Sequence, residues 1–358
     1  MKAIHLLLMG EPGGIEVLVK EIGLQSEQEN IMYFIFNGGT IADNMRNHGI
    51  PVVIANTPRF KWKKKIQEFV QYCAEEKVDV VVNHFNSPVA CFYVYALKQK
   101  LPHIKILGYW HRDERDTVKG VKGKFLYHPL IRAMQKRCDK VIAISEFVKK
   151  AGMEAYELPE EKIEVIYNAV DLNRFKPSSR IHTGGVMKLI YVGRLIPEKG
   201  VHLLLEALSM LPENLPVQTQ IVGYGVELEH LKMLAEDLGV AEKTEFLGKR
   251  SDVPQLLEQA DFFVHPATCQ EGFGITLIEA MACGIPCIAS RGGAIPEIIT
   301  DGTGFMFELG AAADLARKIM EAYHVNQTSE YEIMCKSTRK RAERFGISDM
   351  VQKLEALY

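Results

Sequence analysis

The chain contains no Cys-x-x-Cys pair, no Asp-x-Asp, no GxxxxGK[ST] loop and no run of 18 or more uncharged apolar residues. Each absence removes a class of protein. Its seven cysteines, Cys73, Cys91, Cys138, Cys269, Cys283, Cys287 and Cys335, are odd in number and lie mostly inside apolar runs. That excludes a disulfide framework and a structural zinc site, and it reads as a reduced, cytoplasmic protein. Without a long apolar run there is no transmembrane helix, and the apolar stretch near the start is too short for a secretion signal before glycines turn it. The missing Asp-x-Asp removes the usual carboxylate pair for a divalent cation, and the missing GxxxxGK[ST] removes a P-loop. No low-complexity tract or repeat of about 20–50 residues is present.

What remains is an ordinary globular composition: 358 residues, 47% hydrophobic and 25% charged. That length suits two cores better than one. Net charge is only −2 but unevenly spread, with 26 basic against 21 acidic residues in 1–176 and 17 against 24 afterwards. The excess concentrates in 59–150, where 20 basic residues meet 9 acidic ones, so the first half is suited to an anionic surface or substrate. A mildly acidic chain without a recognised binding motif is not expected to take nucleic acid.

Short β-type runs alternate with helical patterns throughout. Strands are expected at 4–9, 31–36, 78–83, 104–109 and 140–144, with amphipathic stretches such as 63–76 and 125–137 between them. This is βαβ alternation and implies a parallel sheet covered by helices. A polar stretch rich in Pro, Gly and Ser interrupts it, after which strands recur at 187–192, 217–222, 244–247, 261–265, 286–289 and 304–307. The expected organisation is therefore α/β, a first domain at 1–176, a linker at 177–186, a second domain at 187–345 and a final helix at 346–358. In such sheets ligands bind beyond the carboxyl ends of the strands, so the residues after each strand are the place to look for chemistry.

Two constellations stand there. After the first strand of the second half comes Gly193-Arg194-Leu195-Ile196-Pro197-Glu198-Lys199-Gly200, two cations at a strand-to-helix turn, which suits a diphosphate held partly by a helix N-terminus. A solvated loop with incidental charges is the competing reading. After His265-Pro266 comes Glu271-Gly272-Phe273-Gly274, with Glu279 eight residues beyond Glu271. Two carboxylates at different depths beside a glycine turn can hold two sets of hydroxyls, although a capping Glu271 and an exposed Glu279 are each common.

Taken in order, these pieces resemble the retaining, nucleotide-sugar-dependent glycosyltransferases of family 4, which have two Rossmann-like domains and a Glu-x7-Glu motif. The resemblance runs from Gly10-Glu11-Pro12-Gly13-Gly14 through Asn83-His84, Tyr109-Trp110-His111, Ile144-Ser145 and Asn168-Ala169-Val170-Asp171 to the Gly193–Gly200 loop, Glu271–Gly284 and Gly292-Gly293. It implies a GT-B architecture, two doubly wound domains facing a central cleft, with the last helix crossing back to the first domain. It also implies that Arg194 and Lys199 clamp the diphosphate, that Gly13 and Gly14 close over it with backbone N–H groups, and that Glu279 binds the ribose. Glu271 would contact the sugar, the amides around Gly272, Phe273 and Gly274 would complete its pocket, and His111 would lie near its reacting face. Arg250 follows a strand where the base is expected, and His84 would line the acceptor side. Asn168-Ala169 departs from the family's commoner Asn-Gly.

The implied reaction moves a sugar from a nucleoside diphosphate sugar, expected to be a UDP-sugar, to a hydroxyl of a glycan or lipid-linked acceptor with retention, in surface polysaccharide or glycolipid synthesis. The nucleotide sugar is a co-substrate, and neither a resident cofactor nor a metal is expected. Two other classes compete: an epimerase on the same fold, which would need no acceptor, and a non-catalytic nucleotide-sugar-binding subunit. Phe60 and Trp62 among Arg59, Lys61, Lys63, Lys64 and Lys65 suit an anionic bilayer, so a cytoplasmic protein peripheral on the inner membrane face is expected. A solvated basic helix start is the plainer alternative.

Overall fold

Apolar runs of four to six residues become strands whose side chains are buried almost without alternation, as parallel strands covered on both faces require. The fold is that of a computed structural model, which describes residues 1–11, 13–58, 62–116, 123–177 and 185–358. They pack as two units: Met1–Ala169 together with Ile347–Tyr358, and Val170–Gly346.

In the first unit β1 (Lys2–Leu7), β2 (Glu29–Phe34), β3 (Val52–Ile54), β4 (Val80–Asn83), β5 (Lys105–Trp110), β6 (Lys140–Ala143) and β7 (Ile163–Val165) form one parallel sheet in the order β3-β2-β1-β4-β5-β6-β7. The second unit holds β8 (Met187–Val192), β9 (Val217–Val222), β10 (Thr244–Gly248), β11 (Phe262–His265), β12 (Cys287–Ser290) and β13 (Gly304–Phe307) in the order β10-β9-β8-β11-β12-β13. Each sheet grows outward in both directions from its first strand. With right-handed crossovers, that reversal distributes the helices over both faces and makes each sheet doubly wound. The reversal lies between β1 and β4 in one unit and between β8 and β11 in the other. The three-residue strands β3 and β7 fall outside the strands expected from the sequence, because runs that short carry no readable period.

Helix starts follow local chemistry. Ser87 accepts from the Ala90 N–H at 3.2 Å to cap helix Pro88–Lys100, and Ser145 accepts from the Val148 N–H at 3.1 Å to cap Glu146–Tyr156. Helix Ile347–Glu355 buries Ile347, Met350, Val351 and Leu354 and packs against helix Gly14–Gln25 of the first unit. Residues 170–177, which the sequence assigns mostly to the first domain, pack with the second. Val170 pairs with Gly346, Phe175 is buried, and Arg339 donates to the Phe175 carbonyl at 2.9 Å. Most of the expected linker, 178–184, lies outside the described residues. Ala169 is not among the residues with positive φ, so the Asn168-Ala169 turn has no need of the family's glycine.

Trp110 ends β5, is fully buried, and sits against Gly152 of helix Glu146–Tyr156, where a Cβ would lie 2.0 Å from the indole ring. Gly152→Val should therefore destabilise the chain by about 2–3 kcal/mol, read as a lower urea midpoint with an unchanged denaturant slope.

Candidate active site

In the second unit the loops after β8 and β11 meet at the sheet's reversal, as their strand order demands. The first is held by the chain itself: the Tyr191 hydroxyl donates to the Arg194 carbonyl at 2.9 Å, and Leu195 N–H donates to Tyr224 O at 2.9 Å. Arg194 itself points to solvent. The loop then closes in a short 3-10 turn, Pro197–Lys199, and Gly200 enters the next helix at φ 68°. A Cβ there would lie 1.9 Å from the Pro266 carbonyl oxygen, so only glycine lets the two loops approach this closely. Thr268 joins them, its N–H donating to Glu198 O at 3.0 Å.

That stitching brings Lys199 onto Glu271, with the ammonium donating to Oε1. His265, the last residue of β11, places Nε2 3.6 Å from the same oxygen. The Glu271 side chain is only 12% exposed. Burial works to raise its pKa, but His265 and Lys199 outweigh it and hold the carboxyl well below the usual carboxylate range. The backbone of Glu271 is gripped as well. Its carbonyl accepts from Ala294 N–H at 2.8 Å, and a Cβ on Gly293, at φ 61°, would collide with it. Gly274, at φ 95°, starts helix Ile275–Ala282, which carries Glu279 half-buried.

Two expected site residues have their side chains engaged elsewhere. The ring of Phe273, of which only the amide is expected in the pocket, is 2% exposed and packs edge-on against Phe345 at 5.6 Å. Arg250 follows β10 at the sheet edge, two strands from β8, and its guanidinium is engaged by Asp252 at 2.8 and 2.6 Å.

In the first unit, Gly13 caps helix Gly14–Gln25 without a side-chain bond, and the carboxylate of Glu16 in the first turn folds back onto its own N–H beside Gly13. His84 directly follows β4 and His111 directly follows β5. His84 is 2% exposed, and both ring nitrogens are engaged: Nε2 with His5 Nδ1 at 2.8 Å, Nδ1 with His111 Nε2 at 2.9 Å. Neither ring nitrogen is therefore left to bond an acceptor, and His84 bridges His5 and His111. His5, unnoticed in the sequence, lies inside β1 as one of many buried strand residues. Only the sheet order β1-β4-β5 reveals that three histidines stand side by side. Among the described residues no cluster of three or more His, Cys, Asp or Glu side chains is arranged to hold a metal ion.

Comparison with known proteins agrees with this two-unit layout. A family model described as Glycosyltransferase Family 4 matches residues 12–174, and one described as Glycosyl transferases group 1 matches residues 176–344. The chain is 27% identical to the N-acetyl-alpha-D-glucosaminyl L-malate synthase of Bacillus anthracis over 97% of its length and 93% of that protein's. It is 26% identical to an Escherichia coli UDP-Gal:alpha-D-GlcNAc-diphosphoundecaprenol alpha-1,3-galactosyltransferase, over 100% of its own length and 96% of that protein's. Among solved structures it is similar to Anabaena HepE in complex with UDP, with a TM-score of 0.87 and 24% identity over 99% of both chains.

Glu271 is held ionised in the folded chain, whereas in the unfolded chain it titrates in the ordinary carboxylate range. Its contribution to stability is thus present at neutral pH and lost as the pH falls towards the depressed folded value. Glu271→Gln should unfold at lower urea than the parent at neutral pH, and the gap should close as the pH is taken below about 4.

Proposed function

The chain belongs to the family 4 glycosyltransferases and has their GT-B fold, and on that premise we propose that it moves a sugar from a UDP-sugar to a glycan or lipid-linked hydroxyl with retention. The observation that carries the proposal is the placement of Lys199 at the sheet reversal, where Thr268 and Gly200 join its loop to the loop of Glu271, with Arg194 exposed earlier in the same loop. Breaking the bond from the anomeric carbon to the diphosphate puts negative charge on the leaving group. Preorganised cations stabilise that charge without rearranging during the reaction. Lys199 has three N–H donors and directs one at Glu271, leaving two for phosphate oxygens. Arg194 adds a second cation on the solvent side.

In this reading Glu271 receives hydroxyls of the sugar, Glu279 those of the ribose, and the backbone at Gly272–Gly274 completes the pocket. Gly13 and Gly14 offer helix-start N–H groups to phosphate. No enzyme nucleophile is required, since the leaving phosphate itself assists attack by the acceptor hydroxyl from the same face. Two cations replace the divalent ion for which the chain lacks an Asp-x-Asp, so transfer proceeds without added metal. The Escherichia coli relative, whose name carries UDP-Gal and a diphosphoundecaprenol-linked acceptor, supports both the base and the acceptor class.

The test is transfer from a panel of UDP- and GDP-sugars, in chelator, to lipid-linked glycan acceptors and to a hydroxy acid. Glycosylated product with the donor's anomeric configuration is expected from a UDP-sugar. Rearranged nucleotide sugar without acceptor would identify an epimerase, and binding without turnover a non-catalytic subunit. Arg194→Ala should lower turnover on the order of 100-fold at saturating donor while leaving the urea midpoint nearly unchanged.

A lipid-linked acceptor accords with the basic face of the first unit. Helix Trp62–Glu75 exposes Lys63 and Lys64, and Trp62 packs on Phe92 with ring centroids 4.9 Å apart. Lys98, Lys100 and Arg137 line the same groove, while 59–61 and 117–122 lie outside the described residues. No described helix is long and apolar enough to cross a membrane, so contact would be peripheral. At about 1 kcal/mol per basic residue, the combined change Lys63→Glu, Lys64→Glu and Lys65→Glu should abolish most co-sedimentation with anionic vesicles, and salt should weaken the parent's binding. Equally negligible binding to anionic and neutral vesicles would leave a solvated helix.

A further inference from the structure

His5, His84 and His111 form one line of hydrogen-bonded rings, with His5 Nδ1 2.8 Å from His84 Nε2 and His84 Nδ1 2.9 Å from His111 Nε2. At the inner end His5 Nε2 lies 2.9 Å from Asn30 Oδ1 and 3.1 Å from the Tyr358 hydroxyl. At the outer end His111 Nδ1 is buried and has no hydrogen-bond partner among the described residues. A neutral imidazole carries one proton, so each link has a direction, and the direction of one link sets all the others.

Asn30 sets it. Its Nδ2 donates to the Gln28 carbonyl at 3.1 Å and to Ser26 Oγ at 2.5 Å. A backbone carbonyl can only accept, so the amide cannot be flipped, and the atom facing His5 is the acceptor Oδ1. The Tyr358 hydroxyl also donates to that oxygen, at 3.2 Å. His5 must then carry its proton on Nε2 and accept at Nδ1, His84 must donate from Nε2 and accept at Nδ1, and His111 must donate from Nε2. Burial favours the neutral form at every step, lowering His5 to about 4 and His111 to about 3, and driving His84 well below the ordinary histidine value. The other titratable groups against the line are Tyr109, stacked on His111 at 4.4 Å, and Tyr358.

We propose that Asn30, His5 and His84 are positioning residues that lock His111 in its Nε2–H tautomer, so that its buried, unpartnered Nδ1 is held as a bare lone pair. Such an atom accepts from a hydroxyl and repels a phosphate oxygen. It would therefore read a sugar hydroxyl rather than stabilise the leaving group. This last step rests on the reading of His111 as sugar-facing.

The experiment is long-range proton–nitrogen NMR of the full chain labelled with nitrogen-15 histidine, with His111→Asn to assign the ring. The parent should show His111 protonated at Nε2 and bare at Nδ1. Asn30→Asp retains an acceptor and should keep this pattern, whereas Asn30→Leu combined with Tyr358→Phe, which removes both acceptors at His5 Nε2, should give a mixture of tautomers. A proton on His111 Nδ1 in the parent would overturn the proposal, and so would an unchanged single tautomer in the folded double variant. The parent spectrum needs no variant, so a misfolded double variant does not remove the test. Saturating UDP-glucose should shift the bare Nδ1 resonance towards the protonated position, and UDP alone should not. Binding of UDP-glucose, detected by thermal shift, without movement of that resonance would overturn the hydroxyl contact. Failure of every nucleotide sugar to bind would instead defeat the functional reading and leave the tautomer result standing.

Discussion

The constraint on which this molecule depends is that parallel strands, buried on both faces, deliver all their carboxyl ends to one edge of the sheet. Each unit begins its sheet in the middle and builds outward in both directions, so the loops on either side of the first strand diverge and leave a place for ligand. The glycines at 13, 14, 200 and 274 lie at such strand-to-helix turns. At 200 and 274 a positive φ makes the turn possible, and at 200 a neighbouring backbone forbids any side chain.

At that edge the two units solve opposite electrostatic problems. The second unit buries an ionised carboxylate, which is tolerable only because Lys199 and His265 converge on Glu271 and Gly293 and Ala294 hold its backbone. The result is a charged cluster whose geometry is set before any ligand arrives. Charge organised in advance costs no rearrangement at the moment of reaction.

The first unit buries three imidazoles and keeps them neutral. Five of their six ring nitrogens are satisfied by one another and by Asn30 and Tyr358, and only the outermost, His111 Nδ1, has no partner among the described residues. Helix Ile347–Glu355, packed on Gly14–Gln25, brings Tyr358 to the inner end. The final turns of the chain thereby become part of a network that ends beside β5.

The doubly wound class, the two tandem sheets, most strands and the Arg194–Lys199 and Glu271–Glu279 constellations were legible from residue order alone. Those features rest on local signals: apolar runs, glycine turns and the spacing of charges within a few residues. What the order could not reveal are contacts between distant segments. Tyr358 reaches His5 across 353 positions, Lys199 reaches Glu271 across 72, and neither separation leaves a trace in the sequence between them. The burial of Phe273 against Phe345, the packing of 170–177 with the second unit and the engagement of both nitrogens of His84 were likewise decided only in three dimensions. Periodicity specifies which face of an element is apolar. Which polar atom then meets which depends on strand order and on the demand that every buried donor find an acceptor, and both are properties of the whole fold.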